Sequence, residues 1–281
     1  MNSAAAPFSL GDGPDACLLL HGLTGAPSEL LPLGQALASA GIRAVGPLLP
    51  GHGTSPAALV KVTRADLLAA AAAELAALRG ARRVFVVGLS AGALLALRLA
   101  ARPEREGLPR IAALALLAPA IRFAHGSWVF AEVLGRVPTP LIVSSFVIGK
   151  GRRDLAEPGS GPPGSAESLA APLPPPAGVE SRRTRADGSY AGIPLSWARE
   201  LHKLSGEAFD DASQVRVPTL LLHGGRDATA APLGARLLAG RLGSNEVQLR
   251  IFPESGHVLP LDRDSAQVCR AVVSFFRGES R

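Results

Sequence analysis

Five residues, Gly88 to Gly92, join an apolar run to a helix-forming run with no room for a longer loop. Their sequence is Gly-Leu-Ser-Ala-Gly; residues 84–87 before them are apolar, and residues 93–101 after them are rich in Ala and Leu. A strand that enters a helix over so short a link must turn sharply, and small residues two positions on either side of Ser90 let the flanking segments pass each other. The sequence therefore predicts a strand–turn–helix unit that exposes the Ser90 hydroxyl, as a nucleophilic serine requires.

Strand-like and helix-like segments alternate along both halves of the chain. We predict strands at residues 17–20, 42–45, 84–87, 111–117, 219–222 and 247–252, and helices at residues 28–40, 91–101, 232–241 and 265–276. A further helix opens at a capping box formed by Thr63 and Asp66 and ends at Arg79. Apolar strands separated by helices predict an α/β fold with a parallel sheet covered on both faces. A length of 281 residues suits one such domain with an insertion.

A long interruption at residues 122–213 separates the two halves of this pattern. We interpret it as a cap inserted into a single core made of residues 1–121 and 214–281. Within the cap, fourteen of the 21 residues at 158–178 are Pro, Gly or Ser. Such a tract buries too little apolar surface to offset its ordering entropy, so it is predicted to be flexible.

Two apolar segments of the predicted cap, residues 123–149 and 194–204, carry enough large side chains to form short helices. An apolar acyl chain needs burial that the ends of strands alone do not supply. We therefore expect these segments to cover a pocket beside Ser90. Phe130 and Trp197 are the candidate substrate-binding residues within them.

The net charge of +6 raises the question of an anionic partner. The densest basic pieces, residues 152–153 and 182–185, lie in the cap and have almost no aromatic side chains near them to stack on bases. We expect a solvated surface and no nucleic-acid partner. Residues 1–16 lack a signal-peptide pattern, and no apolar stretch approaches the roughly 18 residues that span a bilayer. The expectation is a cytoplasmic protein without stable membrane insertion.

Signals for metals and cofactors are weak. Cys17 falls in a predicted strand and Cys269 on a predicted helix, which favours buried free thiols over a disulfide or a metal cluster. No metal-binding set of His and Cys occurs, and the glycines at residues 11–13 are too few and too early for a dinucleotide loop. We therefore expect neither a metal nor a cofactor.

A serine nucleophile needs a histidine to accept its proton and an acid to orient that histidine. In a parallel sheet such groups gather at the carboxyl ends of strands. His257 follows the predicted strand at residues 247–252 in a turn-rich loop. Asp227 follows the strand at residues 219–222 through a short glycine loop. The predicted catalytic triad is Ser90, Asp227 and His257, in the chain order typical of α/β-hydrolases.

Other carboxylates compete with Asp227 for the role of the acid. Asp210 and Asp211 precede their strand, so they would lie at its opposite end. Glu254 is so near His257 in sequence that it is better explained as shaping the loop. The position after a strand favours Asp227.

Acyl transfer also needs hydrogen-bond donors for the developing oxyanion. One predicted donor is the backbone N–H of Ala91, which follows the nucleophile. The second is expected from the loop at residues 21–25, His-Gly-Leu-Thr-Gly, where the amide of Leu23 is the candidate and its side chain would line the acyl pocket. His21 is an alternative base but is better explained as a brace of this loop. His52 is interpreted as packing and hydrogen bonding nearby.

These motifs together resemble the α/β-hydrolase superfamily, and within it the small bacterial carboxylesterases and monoacylglycerol lipases. The matching stretches are Leu-Leu-Leu-His-Gly-Leu-Thr-Gly at 18–25, Pro-Gly-His-Gly at 50–53, Val-Gly-Leu-Ser-Ala-Gly at 87–92, His-Gly-Gly-Arg-Asp at 223–227 and Ser-Gly-His-Val-Leu-Pro-Leu-Asp at 255–262. The resemblance implies a mostly parallel α/β-hydrolase sheet with helices on both faces and a cap inserted after the sixth strand. It covers both ends of the chain but not the middle, whose Pro-rich tract and arginine cluster depart from the family's compact cap.

The resemblance implies a cofactor-free serine hydrolase that acts on small-molecule esters of short to medium acyl chains or on monoacylglycerols. An acyltransferase or a thioesterase using the same triad is the alternative. A non-catalytic, hydrolase-like binding protein would typically have lost a triad member, and none is missing here. A dehalogenase would carry Asp in place of Ser90.

Overall fold

A computed structural model describes residues 5–101, 108–122, 188–190 and 192–279. Within these ranges seven strands form one sheet: β1 (Phe8–Leu10), β2 (Asp15–Leu20), β3 (Ile42–Gly46), β4 (Val84–Leu89), β5 (Ile111–Leu117), β6 (Thr219–Gly224) and β7 (Val247–Phe252). Their order across the sheet is β1-β3-β2-β4-β5-β6-β7. The short edge strand β1 runs antiparallel to β3, and the other neighbours are parallel. The predicted, mostly parallel sheet is confirmed.

Helices cover both faces of this sheet. They are α1 (Leu31–Ser39), α2 (Pro56–Val60), α3 (Arg64–Ala76), α4 (Ala91–Ala100), α5 (Leu195–Asp211), α6 (Pro232–Arg241) and α7 (Ser265–Arg277). Because side chains alternate along a strand, Leu18 and Leu20 of β2 pack in a core shared with α3, α4 and α5, whereas Cys17 and Leu19 pack in a second core with α1 and α7. A strand that is apolar at every position thus requires cover on both faces, as predicted.

A local sequence signal explains where α3 begins, although the helix ends at Ala76 and not at the predicted Arg79. The capping box is confirmed, because the Asp66 N–H donates to Thr63 Oγ1 at 3.3 Å and the Thr63 N–H donates to Asp66 Oδ2 at 2.8 Å. The helix predicted at residues 28–40 is a 3-10 turn at Pro27–Leu30 followed by α1. The sequence did not predict β1 or α2, which have only three and five residues. No helix in the described ranges is both long and apolar enough to cross a membrane.

Among the described residues the predicted cap begins after β5, the fifth strand, whereas the resemblance implied the sixth; in these ranges one strand, β1, precedes β2. The segments at residues 123–149 and 158–178 lie outside the described residues. The helix predicted at residues 194–204 is α5, which packs on α4 and buries Trp197 in the core that contains Leu18. The division of the whole chain into core and cap stays a prediction.

Ion pairs between helices explain why α5 continues beyond Leu204 to Asp211. On α4, Arg98 pairs with Glu207 and, at 3.0 Å, with Asp211. On α3, Arg64 pairs with Glu207 at 2.8 Å. The apolar spacing also continues past Leu204, since Ala208 and Ala212 are buried in the same core, so the predicted end of the helix was too early.

Candidate active site

Ser90 lies at a strained turn between β4 and α4. Its backbone has φ 56° and ψ -114°, a conformation that residues with a side chain rarely adopt. The Ser90 N–H donates to the Leu117 carbonyl at the end of β5 at 2.9 Å, so the sheet holds the turn in place. The predicted strand–turn–helix unit is confirmed. Backbone strain of this kind concentrates at functional sites, where the surrounding structure maintains it.

Close backbone contacts around this turn leave no room for larger residues. A Cβ on Gly88 would overlap the Gly92 carbonyl, and a Cβ on Gly92 would overlap the Leu20 carbonyl at the end of β2. A Cβ on Gly22, in the loop after β2, would lie 3.3 Å from Ser90 Cβ. The glycines therefore let α4 leave the sheet beside β2 and bring the next loop against Ser90.

Asp227 and His257 meet at the carboxyl ends of β6 and β7. His257 Nδ1 donates to Asp227 Oδ2 at 2.7 Å, and the Asp227 side chain is fully buried while that of His257 is 12% exposed. The other carboxylate oxygen, Oδ1, accepts the amides of Thr229 at 2.8 Å and Ala230 at 2.9 Å. The carboxylate is therefore fixed in orientation, and it holds the imidazole with Nε2 left as the second ring nitrogen.

Burial raises the pKa of the Asp227 carboxyl, but the electrostatic attraction of His257 and the hydrogen bond from His223 lower it by more. The net result is a pKa below the ordinary value of 3.8. Asp227 is therefore ionised at neutral pH. An ionised carboxylate on Nδ1 is what stabilises an imidazolium when Nε2 takes up a proton.

The loops that carry these two residues are tied to each other. The Arg226 N–H donates to the Ser255 carbonyl at 2.9 Å, and the Gly256 N–H donates to Asp262 Oδ2 at 2.6 Å. Ser255 Oγ donates to Asp264 Oδ2 at 2.7 Å. Loop residues are usually mobile, so these bonds give the His257 loop a defined position.

The competing carboxylates have other partners. Glu254 pairs with Arg226 at the surface, where both side chains are more than half exposed, in keeping with a role in the loop. Asp210 lies 3.8 Å from Arg241, and Asp211 lies 3.0 Å from Arg98. Asp227 is the carboxylate that contacts His257.

His21 fixes the peptide that follows it. His21 Nδ1 donates to the Gly22 carbonyl at 2.9 Å, and the Gly25 N–H donates to the same oxygen at 3.1 Å. His21 Nε2 accepts the Leu49 N–H at 3.1 Å, so the proton of the neutral ring is on Nδ1. A planar peptide links the Gly22 carbonyl to the Leu23 N–H, and holding the carbonyl therefore sets the direction of that N–H.

Thr24 is held in an unfavourable backbone conformation, with φ 63°. Its N–H donates to His52 Nε2 at 3.2 Å, and its carbonyl accepts the Tyr190 N–H at 2.8 Å. His52 Nδ1 in turn donates to the Pro50 carbonyl at 2.9 Å. These contacts confirm that His21 braces this loop and that His52 packs and hydrogen-bonds beside it, as predicted.

The two bracing histidines are neutral. Burial lowers the pKa of His21 to about 3 and that of His52 to about 4. Their ring centroids lie 4.9 Å apart in an edge-to-face arrangement, and a charge on one ring would oppose a charge on the other. Each ring accepts a backbone N–H through Nε2, and only the neutral form can accept.

The amides of Leu23 and Ala91 are the two predicted oxyanion donors. Ala91 is the first residue of α4, where a backbone N–H has no partner within the helix. Among the described residues neither amide has a protein acceptor. The Leu23 side chain is half-buried against the core that contains Trp197.

Trp197 is fully buried, and its indole N–H donates to the Leu59 carbonyl at 2.7 Å. Phe130, the other candidate substrate-binding residue, lies outside the described residues. Packing explains the position of Trp197, so its contact with a substrate stays a prediction.

Two residues of this region were not assigned a role from the sequence. The Tyr190 hydroxyl donates to the Gly51 carbonyl at 2.8 Å and accepts the Thr54 N–H at 3.1 Å, which joins the end of the interruption to the loop of His52. His223, at the end of β6, lies 3.1 Å from Asp227 Oδ2. The available signals were that Tyr190 is the one tyrosine of the chain and that His223 precedes Asp227 by four positions.

Known proteins similar to this chain include monoacylglycerol lipases and other lipolytic enzymes. A curated thermostable monoacylglycerol lipase from Bacillus sp. (strain H-257) is 26% identical over 276 residues, which cover 98% of this chain and 95% of that protein. A structure reported for LipS and LipT, metagenome-derived lipolytic enzymes, has a TM-score of 0.75 at 24% identity and 98% coverage of both chains. The monoacylglycerol lipase of Paleococcus ferrophilus has a TM-score of 0.68 at 20% identity, again with 98% coverage of both chains.

At this identity the solved structures establish the fold, and a family model establishes the membership. The model described as "Hydrolase_4: Serine aminopeptidase, S33" matches residues 14–264, well over half of the chain. The match includes the turn at Ser90 and the loops of Asp227 and His257. The chain therefore belongs to the hydrolase family described as serine aminopeptidase, S33, and has the α/β-hydrolase fold.

Proposed function

We propose that this protein is a serine hydrolase that cleaves carboxylic esters of short to medium acyl chain, or monoacylglycerols, through an acyl-enzyme intermediate. The observation that carries the proposal is the buried 2.7 Å hydrogen bond from His257 Nδ1 to Asp227 Oδ2. It lies at the same edge of the sheet as the strained turn that presents Ser90. An acid bonded to a base, with a nucleophile at the same edge of the sheet, supports a triad.

In the proposed reaction His257 Nε2 takes the proton from Ser90 Oγ as the oxygen attacks the ester carbonyl carbon. Asp227 stabilises the resulting imidazolium through Nδ1–H. The negative charge that develops on the carbonyl oxygen is bound by the amides of Leu23 and Ala91. One such donor contributes roughly 3–4 kcal/mol to stabilisation of the transition state.

The intermediate then collapses, the bond to the alcohol breaks, and His257 Nε2 gives its proton to the leaving oxygen. The acyl group remains on Ser90 Oγ. Water attacks the acyl carbonyl while the same nitrogen accepts its proton, the second intermediate collapses, and the carboxylic acid is released with Ser90 Oγ reprotonated. Apart from the ester and water, the proposed steps use side chains and backbone amides of this chain.

The substrate class is supported by the apolar surroundings of the site and by the relatives. Leu23, whose amide is a proposed oxyanion donor, packs its side chain against the core that contains Trp197. A curated relative and a solved structural neighbour are monoacylglycerol lipases, and another neighbour is described as lipolytic. An apolar acyl chain and a small alcohol fit these observations.

The decisive experiment is the replacement Ser90→Ala, with the exposed Ser213→Ala as a matched control. We expect Ser90→Ala to lose about 10⁴-fold or more in kcat for p-nitrophenyl esters, because triad members act as a unit. A fluorophosphonate probe should label Ser90 in the unaltered protein and in the control. Full turnover by Ser90→Ala, or a label on another serine, would refute the proposal.

The same preparation distinguishes the alternatives. A series of p-nitrophenyl esters and monoacylglycerols gives the preferred chain length. Faster turnover of acyl-CoA than of any ester would identify a thioesterase, and ester products formed with an added alcohol would identify an acyltransferase.

A further inference from the structure

We infer that His223 is a positioning residue that fixes Asp227 for its work on His257; the inference rests on the proposed function. His223 Nε2 lies 3.1 Å from Asp227 Oδ2 and 3.0 Å from the Ala230 carbonyl. His257 Nδ1 reaches the same carboxylate oxygen at 2.7 Å. One oxygen of the acid therefore serves two histidines.

The neighbours of His223 define where its proton lies. A carboxylate oxygen and a carbonyl oxygen can only accept, so Nε2 carries the proton. Its N–H donates to the Ala230 carbonyl at 3.0 Å, and Asp227 Oδ2 lies 3.1 Å from the same nitrogen, where the histidine lowers the pKa of the carboxyl. Nδ1 is buried and has no hydrogen-bond partner among the described residues. A ring kept only for packing would leave two polar atoms to satisfy where an aliphatic side chain leaves none. The contact of Nε2 with Asp227 gives the histidine a reason to be there.

The contact completes the shell of the carboxylate. Oδ1 accepts the amides of Thr229 and Ala230, and Oδ2 accepts His257 and His223. Four acceptor positions are the usual capacity of an ionised carboxylate. The two amides belong to the same loop as Asp227, whereas His223 belongs to β6. His223 is thus the donor that ties the acid to the sheet, and through the acid it sets the plane of the His257 ring.

The contact also reduces the negative charge density on Asp227 Oδ2, the oxygen that accepts from His257. A second donor on Oδ2 withdraws electron density from the oxygen that His257 uses, so its removal strengthens the pull of Asp227 on the imidazolium. Other charged groups of these loops are engaged elsewhere. Arg226 and Glu254 pair at the surface, and Asp262 and Asp264 hold Gly256 and Ser255.

The test compares His223→Leu, which removes the donor, with His223→Gln, whose side-chain amide can donate from about the position of Nε2. For His223→Leu we expect kcat on a p-nitrophenyl ester to fall about tenfold with KM within twofold, since small displacements of catalytic groups cost rate more than binding. The acid limb of the kcat/KM profile should move upward by about 0.5 pH unit. His223→Gln should stay within about threefold of the unaltered enzyme in kcat and keep its pH profile. His202→Gln, on α5, is the control for a histidine exchange.

Three results would overturn the inference. The first is unchanged kcat and pH profile in His223→Leu while Asp227→Asn is inactive; that result leaves the proposed function intact. The second is equal loss in the Leu and Gln variants with no shift of the acid limb, which marks a packing role. The third applies if His223→Leu does not fold: His223→Gln then loses kcat and shows a shifted acid limb of its pH profile. Full activity of Asp227→Asn would instead refute the proposed triad.

Discussion

The chain uses histidine in two contrasting environments beside one nucleophile. His223 and His257 share the buried carboxylate of Asp227. His21 and His52 bond instead to backbone groups of the two loops that follow β2 and β3. Burial lowers the pKa of this second pair to about 3 and about 4. The carboxylate is the difference between the two groups.

This difference determines what each ring can do. An imidazole next to an ionised carboxylate can hold a proton during a reaction, because the positive charge is stabilised where it forms. An imidazole surrounded by backbone groups and apolar side chains stays neutral and serves as a rigid acceptor. His257 therefore suits proton transfer, with His223 holding its acid, whereas His21 and His52 suit the orientation of the Leu23 amide. Loss of a residue from either group should consequently change different kinetic quantities.

The largest effect is expected for Asp227→Asn, which removes the charge that distinguishes the two groups. We expect kcat on esters to fall about 10³- to 10⁴-fold with a much smaller change in KM, because the imidazole loses both its orientation and its counter-charge. Steady-state kinetics on a p-nitrophenyl ester measures both constants.

Asp210→Asn is the matched control, since that side chain is 80% exposed. It should keep the kinetic constants of the unaltered enzyme. If Asp227→Asn kept its turnover while Asp210→Asn or Asp211→Asn lost it, the acid of the triad would have been misassigned.

A smaller effect is expected for His52→Leu, which removes the acceptor of the Thr24 N–H. The loop that carries Leu23 should lose part of its rigidity, and kcat should fall about tenfold. Because His52 does not carry the proton in the proposed reaction, the acid limb of the pH profile should keep its midpoint. His52→Gln, which offers an amide oxygen to Thr24, should recover most of the rate. A displaced acid limb in His52→Leu would mean that His52 takes part in proton transfer, and the two groups of histidines would then not differ in function.

Sequence reasoning reached the parts of the site whose signals are local. The turn at Ser90 follows from small residues flanking a serine between a strand and a helix, and Asp227 and His257 follow from their positions after strands. Tyr190 could not be found in this way, because it contacts Gly51 and Thr54 from well over a hundred positions away. The ion pairs of α5 with Arg64 and Arg98 are contacts of the same long-range kind.

The contact of His223 with Asp227 is local and was still missed. The spacing of four residues, read alone, suggests nothing unless the strand is known to end between them at Gly224. The backbone turn there brings the ring and the carboxylate together, with the Asp227 N–H donating to the Gly224 carbonyl at 3.3 Å. Side-chain direction at the end of a strand is thus the information that the pattern of residue types lacks.

The last comparison separates the two groups by stability instead of rate. His52 has a pKa of about 4 in the folded chain against an ordinary value of 6.5, so between these pH values the unfolded chain binds a proton that the folded chain does not. Its contribution is therefore fully present above pH 6.5 and is lost as the pH falls to about 4, by at most about 3 kcal/mol. Asp227 and Asp15 have lowered pKa values and ordinary values of 3.8, so their contributions are lost only at lower pH. We expect urea unfolding of His52→Leu to give a lower free energy at pH 7 but a flatter decline from pH 6.5 to 4.5 than the unaltered protein or His202→Gln shows. Parallel declines in all three proteins would mean that His52 takes up its proton equally in the folded and unfolded chains, and the neutral, bracing role of this histidine would then be untenable.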